Sequence, residues 1–131
     1  MDSSTIELPG SEIESITLDD NRLKVRFSRA IIIKTMSDSE ERTRWWQAGE
    51  LIFDDAELES ELPNCPCVSD GGDVGENVYT YRDMIPLPLE SRGRAHCDLK
   101  FRDQAGSLRA TASAVKLVMD DRPRYIEHIR E

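Results

Sequence analysis

From Arg22 to Lys34 apolar side chains recur at every second residue. Leu23, Val25, Phe27, Ile31 and Ile33 alternate with Arg22, Lys24, Arg26, Ser28 and Lys34. Neighbouring side chains of an extended chain point to opposite faces, so a period of two predicts a half-buried strand. An amphipathic helix would need its apolar residues three and four apart, and this stretch does not supply them. Ile13, Ile16 and Leu18 precede Asp19-Asp20-Asn21, a polar turn sequence, so residues 13–34 read as a hairpin.

The alternation returns downstream. Ala95, Cys97, Leu99 and Phe101 interleave with Arg94, His96, Asp98, Lys100 and Arg102, and Asp103-Gln104-Ala105-Gly106 turns the chain into Leu108, Ala110, Ala112 and Ala114. The apolar set then moves to Val115, Leu117 and Met119, a slip of one residue that predicts a β-bulge near Ser113 to Val115. Trp45 to Phe53 reads as a further strand that turns at Asp54-Asp55. It returns through Ala56, Leu58 and Leu62, with Glu57, Glu59 and Glu61 on the outer face.

Tyr79, Tyr81, Ile85, Leu87 and Leu89 also alternate, but Pro86 and Pro88 lack ladder donors and confine residues 78–89 to a sheet edge. Polar loops are expected over Thr35 to Thr43 and over the glycine-rich Asn64 to Asn77. A short helical turn is expected over Tyr125 to Arg130, after Pro123. Together these predict one all-β domain over residues 1–131, an antiparallel sandwich or barrel of about seven to nine strands with a short C-terminal helical turn.

Charge narrows the partners. The 131 residues carry a formal net charge of −9, and residues 35–77 hold twelve carboxylates against Arg42 and Arg44. Such a field repels nucleic acid and anionic membrane surfaces and attracts a basic protein surface. The longest apolar run, Ala30 to Ile33, is too short for a bilayer, and the N-terminus lacks the basic region of a signal peptide, so a cytoplasmic location is expected.

Cys65, Cys67 and Cys97 are too few and too oddly spaced for a disulfide scaffold and are expected as free thiols. Cys65 and Cys67 form C-x-C rather than the C-x2-C of a zinc knuckle, while His96 and Cys97 fall on opposite faces of one strand. Asp70, Asp73 and Glu76 lack the register of a calcium loop. No G-x-S-x-G elbow accompanies His96 and His128. No metal, cofactor or catalytic residue is assigned.

Two constellations remain. Trp45 and Trp46 are adjacent, so one faces outward and, with Glu57, Glu59 and Glu61, would form a partner-binding surface. Arg29 interrupts the apolar face of its strand. It either points inward, where with Tyr79 and Tyr81 it would bind a small anionic ligand, or is turned outward by a bulge or an ion pair. The first constellation predicts a non-enzymatic interaction module of the adaptor or immunity kind, whose partner is a basic protein or a second copy of the chain. The alternative is a small-ligand-binding barrel.

Overall fold

In the computed structural model, residues 3–36 and 41–129 are described, and among them every regular element is a strand. β1 (Ser3–Asp19) and β2 (Arg22–Thr35) pair across the turn at Asp20 and Asn21, with the ladder broken between Glu7 and Glu12. Both turn residues have left-handed φ, 51° and 62°, the geometry of the two-residue turns that match strand twist. The expected hairpin is present, with its first strand starting ten residues earlier than the sequence pattern indicated.

The remaining strands are β3 (Arg42–Asp54), β4 (Glu57–Leu58), β5 (Cys67–Glu76), β6 (Tyr79–Arg82), β7 (Met84–Leu87), β8 (Glu90–Phe101), β9 (Ser107–Met119) and β10 (Arg124–Ile129). Antiparallel pairing runs β3-β2-β1-β5-β8-β9 and closes through β9 back onto β3, which makes a six-stranded barrel. The upper halves of the long strands change neighbours. β7 pairs with residues 4–7 of β1 and β10 with residues 42–46 of β3, extending the sheet beyond the barrel.

Side chains inside are apolar and contiguous. Phe27, Phe53, Leu23, Val25, Leu51, Ile13, Leu99 and Leu108 are fully or almost fully buried in one cluster. Each contributes about 1.5–3 kcal/mol from removal of apolar surface from water. Residues 87–90 cross from the β1 side to the β9 side, where Leu117 N–H donates to Leu89 C=O at 2.9 Å and Leu89 is buried in the core. A barrel this small is filled by its own side chains.

Several expectations are corrected. The helical turn expected at the C-terminus is strand β10, paired with β3 through Tyr125 and Trp45. Backbone pairing with the edge of β3 outweighs the helical propensity of so short a segment, which could not form a stable helix alone. The loop expected over Asn64 to Asn77 contains β5, a ten-residue strand paired with β8. Its glycines fit where cross-strand neighbours occupy the space a side chain would need; a Cβ on Gly75 would meet the His96 ring. The loop expected over 35–43 lies partly outside the described residues, and Thr35 and Arg42 on either side of it are paired.

Nor do β3 and the segment after it form a hairpin. Asp55 takes a left-handed φ of 51° and the chain runs on beside β9, with Glu57 opposite Thr111 and Leu58 opposite Ala110. The bulge expected near Ser113 to Val115 lies instead in the partner strand, where β8 gains one residue between Arg92 and Ala95 around Gly93, φ 118°. Burial along β9 does change from even to odd residues, as the sequence pattern indicates. Among the described residues no helix is long and apolar enough to cross a membrane.

Candidate functional site

Arg29 sits at a break in register. Between the pairs Phe27–Gly49 and Ala30–Gln47, β2 advances by three residues while β3 advances by two. The inserted residue reverses the parity of the strand, so Ala30 and Ile32, not Ile31 and Ile33, continue the fully buried row of Phe27. Arg29 is thereby turned to the outside. Its side chain is 42% exposed, pairs with Glu12 at 3.6 Å and lies 5.7 Å from the centre of the Trp46 ring. The inward placement that would put Arg29 in a barrel cavity is not adopted, because a guanidinium there would be desolvated among hydrocarbon with no carboxylate to meet it.

Tyr79 and Tyr81 lie on β6, beside the far end of β5. Tyr79 is exposed, and the Tyr81 hydroxyl donates to Glu76 at 3.4 Å. β5 meets β1 at Val68, opposite Glu12, the residue that Arg29 also faces. Seven residues of strand separate that point from Gly75, on the order of 20 Å. The three ligand-binding candidates do not converge.

Trp45 and Trp46 take opposite faces of β3, and both are half-buried. Trp45 packs against the core, with the Lys34 ammonium 4.4 Å above its ring, Tyr125 in edge contact at 5.3 Å, and its Nε1–H donating to Thr43 Oγ1 at 2.7 Å. Trp46 occupies the opposite face between two guanidinium groups, those of Arg29 and Arg124, the latter at 5.2 Å. Both rings lie in the half of β3 that pairs with β10, whereas Asp54 ends the strand eight residues away, on the order of 25 Å. The tryptophans and the glutamates are therefore separate surfaces.

The glutamates acquire different neighbours. Ala56 N–H donates to Asn21 C=O at 2.7 Å, which fastens the segment after β3 to the β1–β2 turn. Asp19 and Asp20 from that turn thus meet Asp54 and Asp55, and the four line an open groove with Arg22 and Lys24. Arg22 Nε donates to Asp54 at 2.9 Å, and Ser113 Oγ donates to Asp55 at 2.8 Å.

Beyond the groove, Glu59 N–H donates to Arg109 C=O and Arg109 N–H to Ser60 Oγ, both at 2.8 Å, so residues 57–60 lie along β9. Ala56 is buried, Leu58 packs on the core, and Glu57, Glu59 and Glu61 are exposed. Leu62 departs from the expected pattern and is 42% exposed, because the chain has left β9 by then. The convergence of Asp19 and Asp20 with Asp54 and Asp55 was not foreseeable from spacing, since it depends on one backbone hydrogen bond between distant segments.

The cysteines and the acids of β5 occupy separate settings. Burial pushes the Cys97 thiol up to about 12, so it remains protonated in the core. Burial, reinforced by Cys65, likewise pushes Cys67 up to about 12. Asp73 pairs with Arg82 at 3.2 Å and Asp70 lies 4.0 Å from Arg102, so with Glu76 facing Tyr81 these three acids do not gather around one point. Among the described residues no three side chains of His, Cys, Asp or Glu are grouped to hold a metal ion. Comparison with protein-family models, with curated proteins and with solved structures finds no match to this chain.

Proposed function

We propose that the chain is a non-enzymatic protein-interaction domain whose acidic barrel end receives a basic surface of a partner protein. The observation that carries this reading is the hydrogen bond from Ala56 N–H to Asn21 C=O. It joins Asp19, Asp20, Asp54 and Asp55 into one groove and leads directly into the exposed row Glu57, Glu59 and Glu61. The cations lining the groove itself are Arg22 and Lys24, and Arg92 and Lys116 border Asp54 and Asp55 on the adjoining side. Like charges held this closely repel one another, and approaching lysine or arginine side chains relieve that repulsion and accelerate encounter.

The test is affinity capture with the purified chain as bait, followed by direct binding of the captured partner to wild type and to the variant Glu57→Lys, Glu59→Lys, Glu61→Lys. Binding should weaken by about tenfold or more in the variant and fall steeply with salt in wild type, as screening of exposed charge requires. All three glutamates are exposed, so the circular dichroism spectrum should be unchanged. Equal affinity of the folded variant removes this face from the function. Recovery of the chain itself as the captured partner replaces the basic protein with a second copy.

A further inference from the structure

We propose that Cys65 and Cys67 are a reversible thiol–disulfide exchange site, closed into an internal disulfide by a low-molecular-weight disulfide of the glutathione class. The site is independent of the acidic barrel end. The two sulfurs are already in contact, 3.9 Å apart. A disulfide needs Cα atoms about 4.4–6.8 Å apart and sulfurs about 2.05 Å apart. The chain bends at residues 65–66, and residues two apart at a bend lie on the order of 6 Å from one another, inside that window. Rotation about the Cα–Cβ bonds supplies the remaining approach of the sulfurs.

The segment is held at both ends. Asn64 N–H donates to Gln104 Oε1 and Gln104 Nε2 donates back to Asn64 C=O, both at 2.9 Å. Cys67 opens β5, in register with Ile13 of β1. The two thiols are thus positioned by tertiary structure and not only by their nearness in sequence, and ring closure is confined to the bend between the two anchors. Each thiol is half-buried, so a small disulfide can reach it. Cys97 takes no part, because it is buried and directed at the Leu108 carbonyl.

The order of steps follows from the surroundings. Burial and the neighbouring Cys65 raise the Cys67 thiol, so Cys65 attacks first. Its thiolate bonds to one sulfur of the small disulfide, whose S–S bond breaks and whose other half leaves and takes up a proton. The mixed disulfide at Cys65 carries no charge, which removes the part of the Cys67 shift that Cys65 causes. Cys67 then loses its proton and attacks the Cys65 sulfur, and the second small thiolate leaves with that proton. The two cysteines have given up two electrons, and the small disulfide has become two thiols. A ring enclosing one intervening residue restrains the unfolded chain little, and its exposure leaves it open to reduction, so the reaction runs both ways.

The experiment equilibrates the full-length chain with oxidised and reduced glutathione in varied ratio, quenches in acid, alkylates the remaining thiols and maps the peptides by mass spectrometry. Folded wild type should lose two hydrogens, with Cys65 joined to Cys67 and Cys97 still a thiol, and excess reduced glutathione should restore all three thiols. The same chain in urea should need about tenfold or more oxidised glutathione for half closure of the pair, because the fold no longer holds the sulfurs in contact. Cys67→Ser should retain one glutathione at Cys65, and Cys65→Ser should acquire one at Cys67 about tenfold or more slowly. The wild-type comparison needs no variant to fold. The proposal is overturned by a folded chain that stops at the mixed disulfide, by cross-linking between chains in place of ring closure, by closure no more favourable than in urea, or by faster reaction at Cys67 than at Cys65.

Discussion

The buried Ser11 hydroxyl accepts the backbone N–H of Ile31 at 2.9 Å and donates to the backbone C=O of Glu7 at 2.6 Å. β1 and β2 lose register between Glu7 and Glu12, where Pro9 and Gly10 interrupt the strand. A break in a ladder strands backbone groups away from water, and here one hydroxyl serves a donor and an acceptor at once. Ser11→Ala should therefore cost about 2–4 kcal/mol, since two buried polar groups are left without partners. Urea denaturation measures it. A loss below that expected for an exposed serine would show that the break is repaired by other means.

Gly72 and Asp83 form a comparable joint where β5 leaves β1. Gly72 N–H donates to the Asp83 carboxylate at 2.9 Å, and Asp83 N–H returns a bond to Gly72 C=O at 2.7 Å. Asp83 C=O then accepts from Leu8 N–H, tying the joint to β1. Gly72 has φ 129°, and a Cβ there would lie 2.2 Å from the Asp98 carbonyl oxygen. Gly72→Ala should destabilise by about 3 kcal/mol or more, because the obstruction is backbone. Gly75→Ala should cost less, since its obstruction is the His96 ring, and His96→Ala in the same chain should recover most of that loss. Thermal melts of the three variants give the order directly.

The antiparallel all-β architecture was legible because its strands alternate, while closure into a barrel, as opposed to a sandwich, was not. β8, β9 and the lower half of β2 have one wet and one dry face, and period two records that. What spacing could not convey was a change of parity supplied by geometry. Arg29 breaks the apolar row because one residue is inserted, and the sequence leaves both inward and outward readings open until the Phe27–Gly49 and Ala30–Gln47 pairs are seen. β5 was hidden for a different reason. Its Gly71, Gly72 and Gly75 carry the composition of a loop, yet their missing side chains are what lets Asp83, Asp98 and His96 approach. Asp20 and Asp55 were each legible as turn residues, but their proximity comes from the contact of Ala56 with Asn21.

A pH dependence follows from the joint between β2 and the end of β9. Arg26 donates to the Asp120 carboxylate, and Asp120 N–H donates to Ala48 C=O. The Arg26 hydrogen bond holds the Asp120 carboxyl below its usual value. The folded protein thus favours the ionised form, and the resulting stability is present above the unfolded value of about 4 and is lost as pH falls through the lower folded value. Asp120→Asn should be less stable than wild type at pH 7, with the difference closing in acid as pH falls through the lowered folded value. Denaturation at pH 7 and in acid checks it, and an unchanged difference would assign the effect to packing.

The two tryptophans should separate packing from surface chemistry. Trp45 packs on the core with Tyr125 at its edge, so Trp45→Ala should cost about 3–5 kcal/mol, most of it apolar area returned to water and space left unfilled. Trp46 faces outward between Arg29 and Arg124, and its loss removes two cation–π contacts worth about 0.5–1 kcal/mol each together with part of the cover over Ile31. Trp46→Ala should therefore cost about 1–2 kcal/mol. Fluorescence distinguishes the rings independently of stability. Replacing Arg29 with Met should alter emission from Trp46 and make it more accessible to iodide, while Trp45, stacked with Lys34 on the other face, keeps its spectrum. Equal responses from the two single-tryptophan proteins would mean that both rings share one environment, which opposite faces of β3 do not permit.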